Sequence, residues 1–377
     1  MRMEYTSNSL LLLLAFLLFA SAGADNSPDS LCKSLVETKG YVCEEHKVTT
    51  KDGYILGVQR IPVGRTSKTT ANRPPILLQH GILLDAATWL LNSPNKSLAF
   101  ILADNGFDVW LGNNRGTVSS RGHTSLSAND PAYWDWTWEQ LAGDDLPAMY
   151  DYIHFQTGQK LYYVGHSLGT LLAFTAFSQE KLVNMTKSAA LLGPIAYLGQ
   201  LSSVLGRTIV TTAEQAYQLG VPEFIPEGLV AGKLLKGLAG PNCCIKPSTI
   251  DVLSDHTFQS TSTKNFVHLS QMIRAGNIAT YDYGDESENK AHYGQPTPPL
   301  YYMTRIPKDI PLFLSYGGKD TLSDVNDVQL LLENLKDHGK DKLVAQYIDY
   351  YAHFDFIMAE NANRVVYDPL LAFFMTP

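Results

Sequence analysis

Gly165-His166-Ser167-Leu168-Gly169 is the stretch of this chain best suited to do chemistry. A serine hydroxyl attacks a carbonyl effectively only when a base takes its proton and an acid holds that base in place. The G-x-S-x-G spacing suits a strained strand-to-helix turn, whose flanking glycines let the backbone pass closely enough to present the hydroxyl. Such a pattern can arise by chance, so its context decides. Leu161-Tyr162-Tyr163-Val164 is a strand-like run directly before it, and Thr170-Leu171-Leu172-Ala173-Phe174 opens a helix directly after it. Ser167 is therefore the candidate nucleophile.

Its partners should follow later strands in the order acid, then histidine. Pro311 to Tyr316 leads into Gly317-Gly318-Lys319-Asp320, a carboxylate on a turn at a strand's C-terminal end. Leu343 to Tyr350 then leads to Ala352-His353-Phe354. The order Ser167, Asp320, His353 is the required one, at the strand ends where open α/β sheets place their sites. The competitors read as structural: Asp324 as a helix N-cap, His338 as an ordinary residue near a helix end, and Asp355 as a structural residue two positions past His353. A tetrahedral intermediate also needs backbone donors for its oxyanion. One is the N–H after the nucleophile, on Leu168. The other comes from the loop Gln79-His80-Gly81-Ile82, where Ile82 supplies the N–H and His80 shapes the loop as a hydrogen-bonder.

The elements that must position these groups are short apolar runs alternating with helical stretches. The runs are Ile76 to Gln79, Phe107 to Leu111, Leu161 to Val164, Ala189 to Leu192, Pro311 to Tyr316 and Leu343 to Ile348. The first four are nearly continuous, as strands covered on both faces should be. Helix patterns fall at Ser97 to Asp104, Trp138 to Phe155 and Leu168 to Glu180. The alternation predicts an α/β fold, a mostly parallel central sheet with helices on both faces. Before it, Tyr41 to Pro62 reads as a hairpin about Thr50-Lys51-Asp52-Gly53. The rhythm breaks over 199–306, which reads as a helical cap inserted between core segments 25–198 and 307–377. Residues 201–241 balance three cations with three anions and are rich in Leu, Val and Ala, a neutral apolar surface. The aromatic cluster Tyr133-Trp134-Asp135-Trp136-Thr137-Trp138 reads as packing at the junction of core and cap.

The net charge of −8 comes with no basic run, which argues against nucleic acid as a partner. The 15 Phe and 20 Tyr residues, without low-complexity tracts, argue for a folded chain. Arg2, the apolar run Leu10 to Ala20 and Ala22-Gly23-Ala24 read as a signal peptide over 1–24, cleaved before Asp25. Eleven apolar residues are too few to span a bilayer, so no transmembrane segment is expected. The destination is the secretory pathway: outside the cell, or a lysosome or vacuole. Asn95 and Asn184 stand in N-glycosylation sequons. Cys32 and Cys43 can close a short loop worth roughly 3 kcal/mol. Cys243 and Cys244 are adjacent, with Cα atoms about 3.8 Å apart, below the usual disulfide range of about 4.4 Å and more. They are expected to be free or paired elsewhere. There is no P-loop, G-x-G-x-x-G, H-E-x-x-H or C-x-x-C, so neither metal nor cofactor is implied.

With these residues in view, the chain resembles the acid lipases of the α/β-hydrolase fold, a family that includes gastric, lysosomal and plant triacylglycerol lipases. The likeness is carried by Gln79-His80-Gly81, by Asn92-Ser93-Pro94-Asn95-Lys96-Ser97-Leu98-Ala99-Phe100-Ile101-Leu102-Ala103-Asp104 and by Gly106-Phe107-Asp108-Val109-Trp110-Leu111-Gly112-Asn113. Thr50 to Leu56, Tyr281-Asp282-Tyr283-Gly284 and Gly317 to Asp320 add to it, from about residue 30 to the C-terminus. The N-terminal cysteines and Asn242-Cys243-Cys244 are most similar to plant members. The resemblance implies an ester hydrolase acting on neutral lipid at a lipid–water interface, with a cap and lid above the triad. It puts Ser167, Asp320 and His353 on catalytic positions and Ile82 and Leu168 on oxyanion donors. The elbow departs from the family in carrying Leu168 where Gln is common, and the cap is shorter.

The leading expectation is thus a secreted serine lipase. Its alternatives are a carboxylesterase for small soluble esters and a non-catalytic hydrolase-fold protein that binds lipid. An epoxide hydrolase or dehalogenase would carry Asp in place of Ser167.

Overall fold

The computed structural model describes residues 30–66, 72–201, 203–225, 240–246, 248–249 and 258–376. The expected signal peptide at 1–24 and parts of the expected cap lie outside the described residues.

Strands β1 (Glu44–Thr49) and β2 (Tyr54–Ile61) form the antiparallel hairpin. Its turn is set by Gly53, at φ +99°, and by Thr50, whose N–H donates to Tyr54 O at 2.8 Å. Then follow β3 (Pro75–Gln79), β4 (Asp108–Gly112), a short β5 (Gly122–His123), β6 (Leu161–His166) and β7 (Thr186–Leu192). Two-residue strands β8 (Glu223–Phe224) and β9 (Thr261–Ser262) pair with each other, and β10 (Leu312–Gly317) and β11 (Leu343–Ile348) complete the main sheet. Its order is β1-β2-β4-β3-β6-β7-β10-β11, with β5 beside β2. From β4 to β11 every pair is parallel.

Every residue of β3, β4, β6 and β10 is buried, which explains why these strands read as continuous apolar runs. Period-two alternation still sorts them by face: Leu77 joins one core cluster while Ile76 and Leu78 join the other. Helices α1 (Leu98–Asp104), α2 (Leu146–Thr157) and α3 (Leu168–Ser178) connect the strands. All eleven residues of α3 are buried, in keeping with its apolar character on every side.

One expected element differs. Trp138 to Phe155 reads as one helix, but the structure has an α-turn at Trp138–Gln140, a π-turn at Leu141–Asp145, and only then α2. Pro147, in the first turn of α2, has no N–H to give to the preceding carbonyls, and the ladder widens where that donor is missing. The first turn is closed by a capping box from Thr137 and Gln140.

Between β7 and β10 the described residues add no strand to the main sheet. They contain α4 (Val204–Gln218), capped by Ser203, and α5 (Thr263–Ala275), capped by Ser262, which pack on each other. The aromatic cluster joins this region to the sheet. Ser262 donates to Trp134 O, and Trp138 stacks on His268 of α5 with ring centroids 4.3 Å apart. Further on come α6 (Glu286–Tyr293) and α7 (Val325–Asn334).

Candidate active site

Ser167 sits between β6 and α3 at φ +55° and ψ −120°, a conformation that costs a non-glycine residue on the order of 1–3 kcal/mol. Its surroundings hold it there. Ser167 N donates to Leu192 O of the neighbouring β7 at 3.1 Å, and the Thr170 hydroxyl donates to Ser167 O at 2.6 Å. The flanking glycines are required by space. A Cβ on Gly165 would lie 2.7 Å from the carbonyl of Gly169, and one on Gly169 would lie 2.5 Å from Gln79 O. The elbow therefore packs directly on the loop after β3.

Asp320 follows β10 on the expected turn. One carboxylate oxygen accepts from the N–H groups of Leu322 and Ser323 at 2.9 and 2.8 Å. The other accepts from His353 Nδ1 at 2.8 Å, and both side chains are buried. A carboxylate at Nδ1 makes that nitrogen the protonated one, leaving Nε2 free to accept a proton. His353 Nε2 is buried and has no hydrogen-bond partner among the described residues, Ser167 Oγ included. Ser167 and His353 instead face the same cavity.

The expected oxyanion donors are equally uncommitted. Leu168 N is at the first position of α3, and Ile82 N is in the turn after β3; neither has an acceptor among the described residues. Gly81 lies so close to the elbow that a Cβ there would be 2.8 Å from Ser167 Cβ. His80 shapes this loop: its Nε2 accepts from Asn114 N at 3.1 Å and its Nδ1 donates to Gly81 O at 2.8 Å. Burial lowers its pKa to about 4, so it stays neutral.

The competitors sit elsewhere. Asp324 caps α7 by accepting from Asn326 N. His338 Nδ1 contacts Leu335 O at 3.1 Å, past the end of that helix. Asp355 accepts backbone N–H groups.

Three features were missed in the sequence. His166, the second residue of the elbow motif, contacts the backbone carbonyl of His353 through Nε2 at 2.9 Å. Burial, and then the neighbouring His353, hold it well below the ordinary histidine range, so the neutral ring donates. Gly193, after β7, has φ +55°, and a Cβ there would lie 3.1 Å from the His353 ring and 3.5 Å from Asp320 Oδ2. Arg115 is buried between two carboxylates, Asp145 in the π-turn and Asp52 in the hairpin turn, with its guanidinium over the Tyr54 ring. Only the motif position of His166 carried a readable signal.

The cavity above Ser167 has a volume of about 110 Å³. Its roof includes Ile209 and Val210 of α4 and Phe266, Leu269 and Ile273 of α5. Among the described residues lining it, only Ser167 and His353 have polar side chains.

The cysteines bring one correction. Cys32 and Cys43 are bonded to each other, and so are Cys243 and Cys244, which the sequence led us to expect free or paired elsewhere. The usual Cα separation describes half-cystines distant in the chain; neighbours close an eight-membered ring in which the peptide itself sets the 3.7 Å separation. Asn95 and Asn184, the sequon residues, are both exposed. No cluster of three or more His, Cys, Asp or Glu suited to a metal occurs among the described residues, and none of their helices is long and apolar enough to cross a membrane.

Residues 74–357 match the α/β hydrolase fold family, and residues 32–93 match the partial α/β-hydrolase lipase region. Triacylglycerol lipase 2 of Arabidopsis thaliana is 47% identical over 91% of this chain and 87% of its own. Gastric triacylglycerol lipase of Homo sapiens is 37% identical over 88% of each. A crystal structure of a soluble variant of monoglyceride lipase from Saccharomyces cerevisiae shares the fold, with a TM-score of 0.56 at 15% identity over 89% of this chain and 95% of that one. With this parallel sheet and matches that run over most of its length, the chain belongs to the lipase family of the α/β-hydrolases.

Proposed function

We propose that this chain is a secreted serine lipase that hydrolyses the carboxylic ester bonds of neutral lipids, triacylglycerols above all. Ser167 Oγ attacks the acyl carbon while His353 Nε2 takes its proton. Asp320 holds the imidazole in the tautomer this requires and stabilises the imidazolium that forms. The N–H groups of Leu168 and Ile82 receive the charge on the carbonyl oxygen, a contribution of several kcal/mol where such donors are preorganised. His353 returns the proton to the departing glycerol oxygen. Water, deprotonated by the same nitrogen, then releases the fatty acid from Ser167.

The observation that carries this reading is the lining of the cavity. An acyl chain entering it loses about 0.8 kcal/mol of unfavourable hydration per methylene and meets polar side chains only at the reacting centre. Residues 199–306 act as the cap over that centre, with 25–198 and 307–377 as the core. The exposed Asn95 and Asn184 are glycosylation sites of a chain that enters the secretory pathway.

The test is fatty-acid release from emulsified triacylglycerol against a soluble short-chain ester, measured across the solubility limit with Ser167→Ala alongside. Activity that climbs at the emulsion surface and disappears in the variant is expected. Hydrolysis confined to the soluble ester would make the chain an esterase, and activity retained by Ser167→Ala would remove the mechanism.

A further inference from the structure

Asp355 lies two residues past His353 and is fully buried. Its carboxylate accepts three backbone N–H groups: Ala352 at 2.8 Å, Cys243 at 3.0 Å and Cys244 at 3.2 Å. Ala352 directly precedes His353. One carboxylate thus ties the loop of the proposed base to segment 240–246, which arrives from the region between β7 and β10. Burial raises the Asp355 carboxyl above the ordinary carboxylate range, and the three donors oppose that shift.

The segment is held to the same loops at other points. Glu360 N donates to Cys244 O at 2.9 Å, and Lys246 pairs with the Glu360 carboxylate at 2.7 Å. Gly240, at φ +89°, passes so close that a Cβ there would lie 2.0 Å from Lys319 O and 3.4 Å from Ala352 Cβ. Lys319 precedes Asp320 as Ala352 precedes His353. The strap therefore abuts the residues before the proposed acid and base together.

Cys243 and Cys244, bonded to each other, are the two residues whose N–H groups face Asp355. Closing a ring through their shared peptide removes torsional freedom from both, which keeps the two donors aimed at one acceptor. Cys243 is exposed, within reach of a solution dithiol. Neither cysteine nor Asp355 lines the cavity.

We propose that Asp355 is a positioning residue for His353 and that the Cys243–Cys244 disulfide is a redox-sensitive clamp on it. The inference rests on the reading of His353 as the base that activates Ser167. Reduction runs by exchange: a thiolate of a dithiol attacks one sulfur and the Cys243–Cys244 bond breaks, giving a mixed disulfide. The second thiol of the reductant then displaces the protein sulfur and leaves as a cyclic disulfide. Two electrons pass to the cystine, and both cysteines end as thiols carrying the protons the dithiol gave up. With the ring open, the Cys243 and Cys244 N–H groups are no longer preset toward Asp355, and the loop bearing His353 loosens.

The experiment uses the full chain with and without dithiothreitol. It reads the rate of Ser167 labelling by a fluorophosphonate, kcat and KM on a soluble short-chain ester, and binding of an apolar fluorophore in the cavity. Dithiothreitol is expected to lower labelling and kcat about fivefold while KM and fluorophore binding hold, as for a misplacement of well under 1 Å. C32S/C43S should keep this sensitivity. C243S/C244S should be slow already and indifferent to dithiothreitol, and Asp355→Asn should lose about tenfold in kcat at unchanged KM. Should Asp355→Asn not fold, the serine pair carries the test alone.

Wild-type rates in C243S/C244S, or sensitivity that survives there, overturn the inference; so does a loss confined to KM. An oxidised wild-type chain that fails to label removes the reading of Ser167 and His353, and the inference with it. A wild-type chain that labels normally beside unaffected variants removes the inference alone.

Discussion

Gly193→Ala separates backbone strain from catalytic geometry. Gly193 has φ +55°, and an added Cβ would stand 3.1 Å from the His353 ring, about 0.3 Å inside ordinary van der Waals contact. The backbone term is the cost of a left-handed alanine, about 1–2 kcal/mol. The contact term is a displaced imidazole, because the ring must yield while its Nδ1 stays bonded to Asp320. If about 1 Å of misplacement costs about 10²-fold in rate, about 0.3 Å on the same logarithmic scale costs roughly fourfold. Gly158→Ala is the control: it has φ +66° at the end of α2, and nothing lies within 4 Å of its added Cβ. Urea unfolding should show both variants destabilised by about 1–2 kcal/mol. Turnover of a soluble ester under folded conditions should fall about fourfold in Gly193→Ala alone. Equal kcat in the two variants would refute the argument that Gly193 is reserved for the His353–Asp320 pair.

Asp320→Asn removes the carboxylate that selects the Nδ1–H tautomer of His353, and kcat should fall on the order of 10⁴-fold with KM little changed, read by steady-state kinetics. Arg115→Met leaves Asp145 buried without its partner, and the unfolding free energy should drop by about 3–5 kcal/mol in urea titrations. His80 is neutral in the folded chain, with its pKa lowered from 6.5 to about 4. Unfolded His80 therefore binds a proton that the folded form refuses, so its contribution is intact above pH 6.5 and is lost as pH falls from 6.5 to 4. By linkage the loss is roughly 3 kcal/mol, and urea midpoints across that window should fall less steeply in His80→Gln.

The parts of the site legible in the sequence are those that local sterics impose. Ser167 between two glycines announces a tight strand-to-helix turn, because Gly165 and Gly169 have no room for a Cβ. The strands announce themselves by continuous apolar runs, since burial on both faces admits little else. Asp320 and His353 could be chosen because each follows a late strand, and parallel strands deliver their C-terminal ends to one edge. The helix from Trp138 was legible only in outline. Its π-turn depends on Pro147 and on Asp145 meeting Arg115, a residue 30 positions earlier.

By itself, then, the sequence determined the order of elements and singled out Ser167, Asp320 and His353 as candidates at their strand ends, all from properties of neighbouring residues or of their order along the chain. Tertiary structure alone decided which distant groups meet: His166 on the carbonyl of His353, 187 residues later, and Asp355 on the backbone of Cys243, 112 residues earlier. It also decided the pairing of Cys243 with Cys244, which rules drawn from separated half-cystines argue against. Local preference acts within a few residues through torsion and contact, whereas these meetings are settled when the sheet closes and buried polar groups must find partners among whatever the fold brings beside them.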